Sequence, residues 1–142
     1  MVIAIHTGFD TLYFKLFTMK QILFERLGGT PGITSIVDDV IEAHMNNSDI
    51  SARFLPCKEQ PEKLAIIRQH TIDFFSAGSG GPITYTGRDM PTTHKGMNIS
   101  PAEYMYVVDD IMRVLEMHKI DEESKKEVLA ILWSLKGMII SK

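Results

Sequence analysis

Gly80-Gly81-Pro82-Ile83-Thr84-Tyr85-Thr86-Gly87-Arg88-Asp89-Met90-Pro91-Thr92-Thr93-His94-Lys95-Gly96-Met97 is the stretch on which the reading of the fold turns. Glycine, threonine and proline cannot carry a helix through residues 78 to 93, so that segment reads as a long ordered loop. Long loops inside compact domains are often functional. This one delivers a single imidazole, His94, at its end.

On either side of the loop the apolar spacing is helical. Upstream, Thr30-Pro31 pairs a hydroxyl cap with a proline in the first turn and opens a helix whose stripe is Ile33, Ile36, Val37, Val40, Ile41 and Met45. Asp38, Asp39 and Glu42 fall between those positions and belong to the water side. Asn46-Asn47-Ser48-Asp49 ends that helix, and a short helical turn runs from Asp49 to Phe54. Pro61 then starts a helix reaching about Ala77, with Leu64, Ile67, Phe74 and Phe75 on its inward stripe. His70 and Thr71 interrupt this stripe, and a polar pair on an apolar face calls for an explanation.

Downstream, Ser100-Pro101-Ala102-Glu103 is a capping box with proline at the first helical position. Tyr104, Val107, Val108, Ile111, Val114 and Leu115 follow it at helical spacing. A last helix from about Asp121 carries Val128, Leu129, Leu132, Leu135 and Ile139 inward and leaves Lys125, Lys126 and Glu127 outside. No strand is expected after residue 20 and no internal repeat is present, so the fold class is all-α.

The 142 residues suffice for one domain with a buried core. A composition of 44% hydrophobic and 23% charged residues with a net charge of -3 is ordinary for a soluble protein and offers no basic field for nucleic acid. No segment has the roughly 18 uninterrupted apolar residues of a membrane span, and the start of the chain, interrupted by His6 and Asp10, reads poorly as a signal peptide. One cysteine, Cys57, cannot close an internal disulfide, which points to a reducing cytoplasm. Neither HExxH, GxSxG nor a P-loop is present, and His6, His44 and His118 form no zinc pattern. His70 and His94 are left as the candidate chemistry, each either a ligand or a satisfied structural histidine.

Taken in order and spacing, a further set of residues carries a family resemblance. Leu23-Phe24-Glu25-Arg26-Leu27-Gly28-Gly29, Phe54, Phe74-Phe75, Gly80-Gly81-Pro82, Tyr85-Thr86-Gly87-Arg88, Met90 and His94-Lys95-Gly96-Met97 together resemble the group I truncated haemoglobins over nearly everything from residue 22 onward. The resemblance implies a two-over-two helical sandwich around haem b, held non-covalently since no CxxCH is present, with residues 21–142 as the globin domain. His94 matches the proximal iron ligand, its Nε2 lone pair on the metal and its Nδ1 oriented by a backbone carbonyl. Phe54, Ile67, Phe74, Met90, Val107 and Val108 are expected to flank the macrocycle, and Arg88 to meet a propionate. The alternatives stay open: the phenylalanines as ordinary core, Arg88 as a solvated loop charge.

On the distal side the chain departs from the commonest family pattern. Ile41 stands where the resemblance places a tyrosine, and Ile67 and Thr71 where glutamines often lie. Bound dioxygen would then lack its usual donor, with Thr71 and His70 as the remaining polar candidates. His70 matches the position where some group I members bind iron from the distal side, which implies bis-histidine coordination by His70 and His94. The other placement for His70 is at the pocket mouth, toward a propionate or solvent. An internal ligand lowers the apparent affinity for dioxygen by the fraction of open sites.

The functions implied are reversible binding of dioxygen, nitric oxide or carbon monoxide, or an enzyme that converts nitric oxide to nitrate with a reductase restoring ferrous iron, or peroxidase-like, redox or electron-transfer chemistry at the same haem. Residues 1–20 lie outside the resemblance and are expected to be an N-terminal extension, either poorly ordered or a short helix with Phe9, Leu12, Tyr13, Leu16 and Phe17 on one face. Cys57 reads as a free thiol and His118 as a charge at a helix C-terminus.

Overall fold

The computed structural model describes residues 20–142, and the expected helical face of Phe9 to Phe17 lies outside them. Among the described residues seven α-helices follow one another: α1 (Leu23–Arg26), α2 (Gly29–Asn46), α3 (Ser51–Phe54), α4 (Pro61–Gly78), α5 (Met90–His94), α6 (Pro101–Met117) and α7 (Glu122–Ile139). A 3-10 turn, Leu55–Glu59, joins α3 to α4. Among the described residues there is no strand, only an isolated parallel bridge between Ile99 and Ile140. Helix α2 packs on α4 and on α6, α6 packs on α7, and the short α5 leans on α7. This is two helices laid over two, as expected.

The core follows from the stripes. Ile33, Ile36, Val37 and Val40 from α2 meet Val108, Ile111, Val114 and Leu115 from α6, with Val128 and Leu132 of α7 behind them. Burying side chains of this size contributes about 1.5–3 kcal/mol each, so the α2–α6–α7 contact dominates stability. The Ser100 capping box forms on both sides: Ser100 Oγ accepts from Glu103 N at 3.1 Å and Glu103 Oε2 accepts from Ser100 N at 2.8 Å. Asp121 caps α7, its carboxylate accepting from Ser124 N at 2.9 Å. Arg26 of α1 donates to Ser124 Oγ at 2.8 Å and to Glu127 at 2.8 and 2.9 Å, tying the start of the domain to the start of α7.

Four expectations change. Helix α2 opens at Gly29, before Thr30, and Thr30 is not its cap. Gly28 and Gly29, at φ 92° and 63°, set the entry instead, in a region that glycine adopts without strain. Gly32 lets α2 approach α1 closely, since a Cβ there would sit 2.2 Å from Leu27 O.

His94 does not end a loop; it ends α5, and the loop is confined to residues 79–89. Asp89 caps that helix through Thr92 N at 2.8 Å with Pro91 in the first turn, the cap-and-proline signal that marks α6 at Ser100-Pro101.

Of the inward stripe expected for α4, Phe75 packs on the core and Ile67, His70 and Phe74 do not join it. Ile72 and Ser76 are its buried residues, Arg68 reaches Asp38 of α2 at 2.5 Å on the same side, and His70 is exposed, with Ile67 39% exposed. Helix α4 therefore packs on α2 through positions 68, 72 and 76, rotating Ile67, His70 and Phe74 onto a neighbouring face. In α7, Leu129 is exposed and Lys125 is buried, the reverse of the expectation. Lys125 is drawn in by ion pairs with Glu116 of α6 and, at 2.5 Å, with Glu122, which cover its ammonium while its stem packs.

Candidate functional site

His94 owes its geometry to α5. Its Nδ1 lies 2.8 Å from Met90 O, one turn back, so the helix itself presents the carbonyl that takes the Nδ1 proton. That hydrogen bond fixes the tautomer in which Nε2 keeps its lone pair. Among the described residues nothing hydrogen-bonds to Nε2, and the ring is half-buried. Hydrogen bonds from Thr92 hold the Asp89 carboxyl below the usual carboxylate range and pin the start of the same short helix.

Helix α4 carries the other candidates. Ile67 and Ile66 are exposed, and Leu55 and Met97 on flanking segments are also more than a third exposed. Apolar side chains left without cover suit a flat apolar ligand. Thr71 is half-buried, and its hydroxyl donates to Ile67 O at 2.8 Å, so its one proton is already committed within the helix. His70 forms no hydrogen bond to His94, and the residue it touches is Tyr85 of the connecting loop, edge to face at 6.3 Å and 80°. Tyr85 also meets Phe74 at 5.3 Å and donates through its hydroxyl to Arg88 O at 2.8 Å. Phe74 is half-buried against Phe75 at 6.5 Å. Arg88 is exposed and its guanidinium has no acidic partner among the described residues, leaving it able to meet an anionic group.

The remaining expected residues divide. Val108 is 4% exposed inside the helical core, which makes it ordinary core rather than a wall of the site. Val107, Ile41 and Met90 are half-buried and pack on that core from its edge. Phe54 is half-buried at the end of α3 and leans on His44, ring centroids 4.8 Å apart and 30° inclined.

His44 belongs to a buried polar cluster that the sequence reading missed. It is 6% exposed and Asp110 of α6 is 1% exposed. Their Nδ1 and Oδ2 are 3.0 Å apart, Asn47 Nδ2 donates to the same Oδ2 at 3.0 Å, and Arg113 reaches Oδ1. Burial pushes the His44 imidazole pKa down, outweighing the carboxylate beside it. Burial works to raise Asp110, but the donors from His44 and Asn47, with the charge of Arg113, win and hold it low. The pair is thus a neutral imidazole donating to a carboxylate. Asp110 on the α6 stripe's margin, one turn before Val114, was the available signal, since a carboxylate between core positions needs a partner.

Next to Phe54, Arg53 clamps the segment that follows His94. It donates to Met97 O at 2.6 Å and forks onto Glu103 at 2.8 and 3.1 Å. Together with the Ser100 hydrogen bonds this guanidinium lowers the Glu103 pKa to about 2. His118, expected as a helix-end charge, lies at the end of α6 and pairs with Asp39 of α2 at 2.6 Å.

Haem is the cofactor expected from the resemblance, and the residues present fit it. The residues that would hold it are His94, whose Nε2 has no hydrogen-bond partner among the described residues, the expected apolar side chains Phe54, Ile67 and Phe74, and Arg88, a cation with no acidic partner among the described residues. No group of three or more histidine, cysteine, aspartate or glutamate side chains that could hold a bare metal ion occurs among the described residues.

Comparison with known proteins agrees. The bacterial-like globin family model matches residues 22–141. A group 1 truncated haemoglobin from Nostoc is 25% identical over 120 residues, covering 84% of this chain and 98% of its own length. One from Mycolicibacterium paratuberculosis is 22% identical over 110 residues, covering 78% and 77%. Among solved structures, the Fe(III) form of truncated haemoglobin from Tetrahymena pyriformis superposes with TM-score 0.77 at 19% identity, covering 86% of this chain and all of that one. A cyanomet 2/2 haemoglobin from Synechococcus with covalently attached haem gives 0.72 at 19% identity, covering 82% and 94%. No helix among the described residues is long and apolar enough to cross a membrane.

Proposed function

The chain belongs to the bacterial-like globin family, and from that premise we propose that it is a haem b protein that binds dioxygen and other diatomic gases reversibly, with His94 as proximal ligand and His70 as a competing distal ligand. The observation that carries the reading is the His94 geometry, in which the 2.8 Å contact of Nδ1 with Met90 O leaves Nε2 as the free lone pair. Haem iron, when bound, supplies a coordination position that a gas molecule or a side chain can fill.

The chain's own residues decide which. Ile41 brings no donor, and the Thr71 hydroxyl proton is given to Ile67 O at 2.8 Å. His70 is then the polar side chain of α4 with both ring nitrogens uncommitted among the described residues, on the face that also carries Ile67 and Phe74. An imidazole there competes with dioxygen, carbon monoxide or nitric oxide and lowers their apparent affinity. Phe54, Ile67 and Phe74 give apolar cover that keeps water from the site, and Arg88 fits a propionate. An intracellular, reducing location is supported by the single unpaired cysteine.

Turnover of nitric oxide to nitrate, or peroxidase-like chemistry with a reductase, has less behind it, because neither Ile41 nor Thr71 offers a proton to a ligand. The test of the main reading is an absorption spectrum of the ferric and ferrous protein beside that of His70→Leu. A low-spin resting spectrum that becomes high-spin in the variant is the expected result. A spectrum the substitution leaves unchanged overturns distal coordination by His70, and loss of His94 with haem still tightly held overturns the proximal assignment.

A further inference from the structure

We propose that Tyr85 is a positioning residue: it holds His70 clear of the iron when the sixth coordination position is open. The inference rests on the reading that His70 reaches the iron.

The His70 ring is exposed and meets the Tyr85 ring edge to face, with centroids 6.3 Å apart at 80°. Tyr85 is itself fixed from three sides. Its hydroxyl donates to Arg88 O at 2.8 Å, its ring meets Phe74 edge to face at 5.3 Å, and it folds directly over Gly87. A Cβ at Gly87 would lie 2.2 Å from the Tyr85 hydroxyl oxygen, so glycine there is what gives the ring its place. A ring held from three sides is a prepared surface, and the residue laid on it is His70.

The arrangement sets up a competition. An imidazole resting on Tyr85 has to leave that ring before its lone pair can turn to the metal, so whatever the aromatic contact contributes is subtracted from coordination. Edge-to-face pairs shift such an equilibrium by roughly two- to tenfold, enough to change which form predominates when the two are nearly balanced. The contact is also joined to the proximal side. The Arg88 carbonyl that anchors Tyr85 accepts from Thr93 Oγ1 at 3.3 Å as well, and the next residue, Asp89, caps the helix that carries His94. Tyr85 therefore stands between the two histidines in the chain and touches the support of both.

The holoprotein, Tyr85→Leu and Tyr85→Phe are compared by the low-spin fraction of the ferric form and by the rate at which His70 returns to ferrous iron after photolysis of carbon monoxide. Leucine removes the aromatic face and is expected to move the equilibrium toward His70 coordination roughly two- to tenfold. Phenylalanine keeps the ring and loses only the bond to Arg88 O, so it should stay within about twofold of the parent. If Tyr85 merely braced the loop through its hydroxyl, phenylalanine would move the equilibrium as far as leucine, and that outcome overturns the proposal.

A second measurement uses the unsubstituted ferrous carbon monoxide complex, which is diamagnetic and has His70 displaced. Nuclear Overhauser contacts between the His70 and Tyr85 rings are expected, and their absence overturns the proposal whatever the variants do. A protein with no His70-dependent low-spin species overturns the parent reading and this one with it. A His70-dependent species that Tyr85→Leu leaves unaltered overturns this one alone.

Discussion

Asp110→Ala tests the buried polar cluster behind Phe54. The substitution takes the acceptor from three donors, and their surroundings set the size of the effect. His44, 6% exposed, is left with a buried Nδ1–H and nothing to receive it, a loss of about 1–3 kcal/mol. Asn47 loses a half-buried hydrogen bond to the carboxylate, and because its amide can turn to water the net loss is about 0.5–1 kcal/mol. Arg113, with 60% of its side chain exposed, returns its charge to water and contributes little. The expected sum is about 2–4 kcal/mol.

His44→Leu alone leaves Asp110 with Asn47 and Arg113 and should cost about 1–2 kcal/mol. In the double variant the buried His44 donor goes together with its acceptor, and only the half-buried Asn47 amide and the exposed Arg113 turn to water, so about 1–2 kcal/mol of the summed loss should be recovered. The assay is urea unfolding of the carbon monoxide-bound protein with haem saturated, so that ligand binding weighs equally on every variant. Additivity within about 0.5 kcal/mol would refute the claim that the two side chains act as a unit.

The pH dependence adds a second check. Burial holds the folded His44 pKa below its ordinary 6.5, so the folded state keeps the ring neutral where the unfolded state would protonate it. The stability this contributes is whole above 6.5 and drains as the pH falls below that value toward the folded pKa. His44→Leu removes the dependence, so its cost should be smaller at about pH 5.5 than at about pH 7.5. A cost that grows in acid would mean a charged pair and would refute the neutral assignment.

Three further outcomes are expected. Thr71→Val should change dioxygen dissociation, measured by stopped-flow, by less than about twofold, because the hydroxyl proton is committed to Ile67 O at 2.8 Å; a lost ligand hydrogen bond would instead give roughly fivefold. Gly32→Ala drives a Cβ to 2.2 Å from Leu27 O and should lower the unfolding free energy by about 1–3 kcal/mol, whereas Gly137→Ala, with open space around it on α7, should raise it by roughly 0.5–1 kcal/mol. Arg53→Ala should move the Glu103 carboxyl titration, followed by NMR, up from about 2 toward its ordinary 4.5. The lowered value means that the clamp's contribution is complete above 4.5 and lost as the pH falls through about 2.

What was legible in the sequence was whatever depended on local chemistry. The Ser100 box, the Pro61 start and the stripes of α2 and α6 follow from capping and period, and the structure carries them within a residue or two. Thr30-Pro31 misled because two left-handed glycines had already begun α2, and the same cap-and-proline signal at Asp89-Pro91 went unread inside a segment dominated by glycine. The direction in which α4 is rotated was not legible, since Ile67 and Ile72 are equally apolar and which of them is covered is decided by the packing of α4 on α2. Lys125 and the His44–Asp110 pair escaped for a related reason. A buried charge is recognised by its partner, and those partners, Glu116 and Asp110, are brought up by other helices. His94 was legible as a position, while its tautomer came from Met90 O.

The segment after His94 is stitched to the last residues of the chain: Gly96 N and Asn98 N both donate to Lys142 O, at 3.1 and 2.9 Å, and Ser141 N donates to Ile99 O at 2.9 Å. Ribosomes deliver a chain from its N-terminus, so His94 leaves the exit tunnel well before residues 140–142 are joined. The helical pairs can begin to collapse during synthesis, but the backbone that follows His94 closes only once residues 140–142 have been added. A nascent chain stalled short of those residues would hold its imidazole on an unsecured hinge and retain the cofactor poorly.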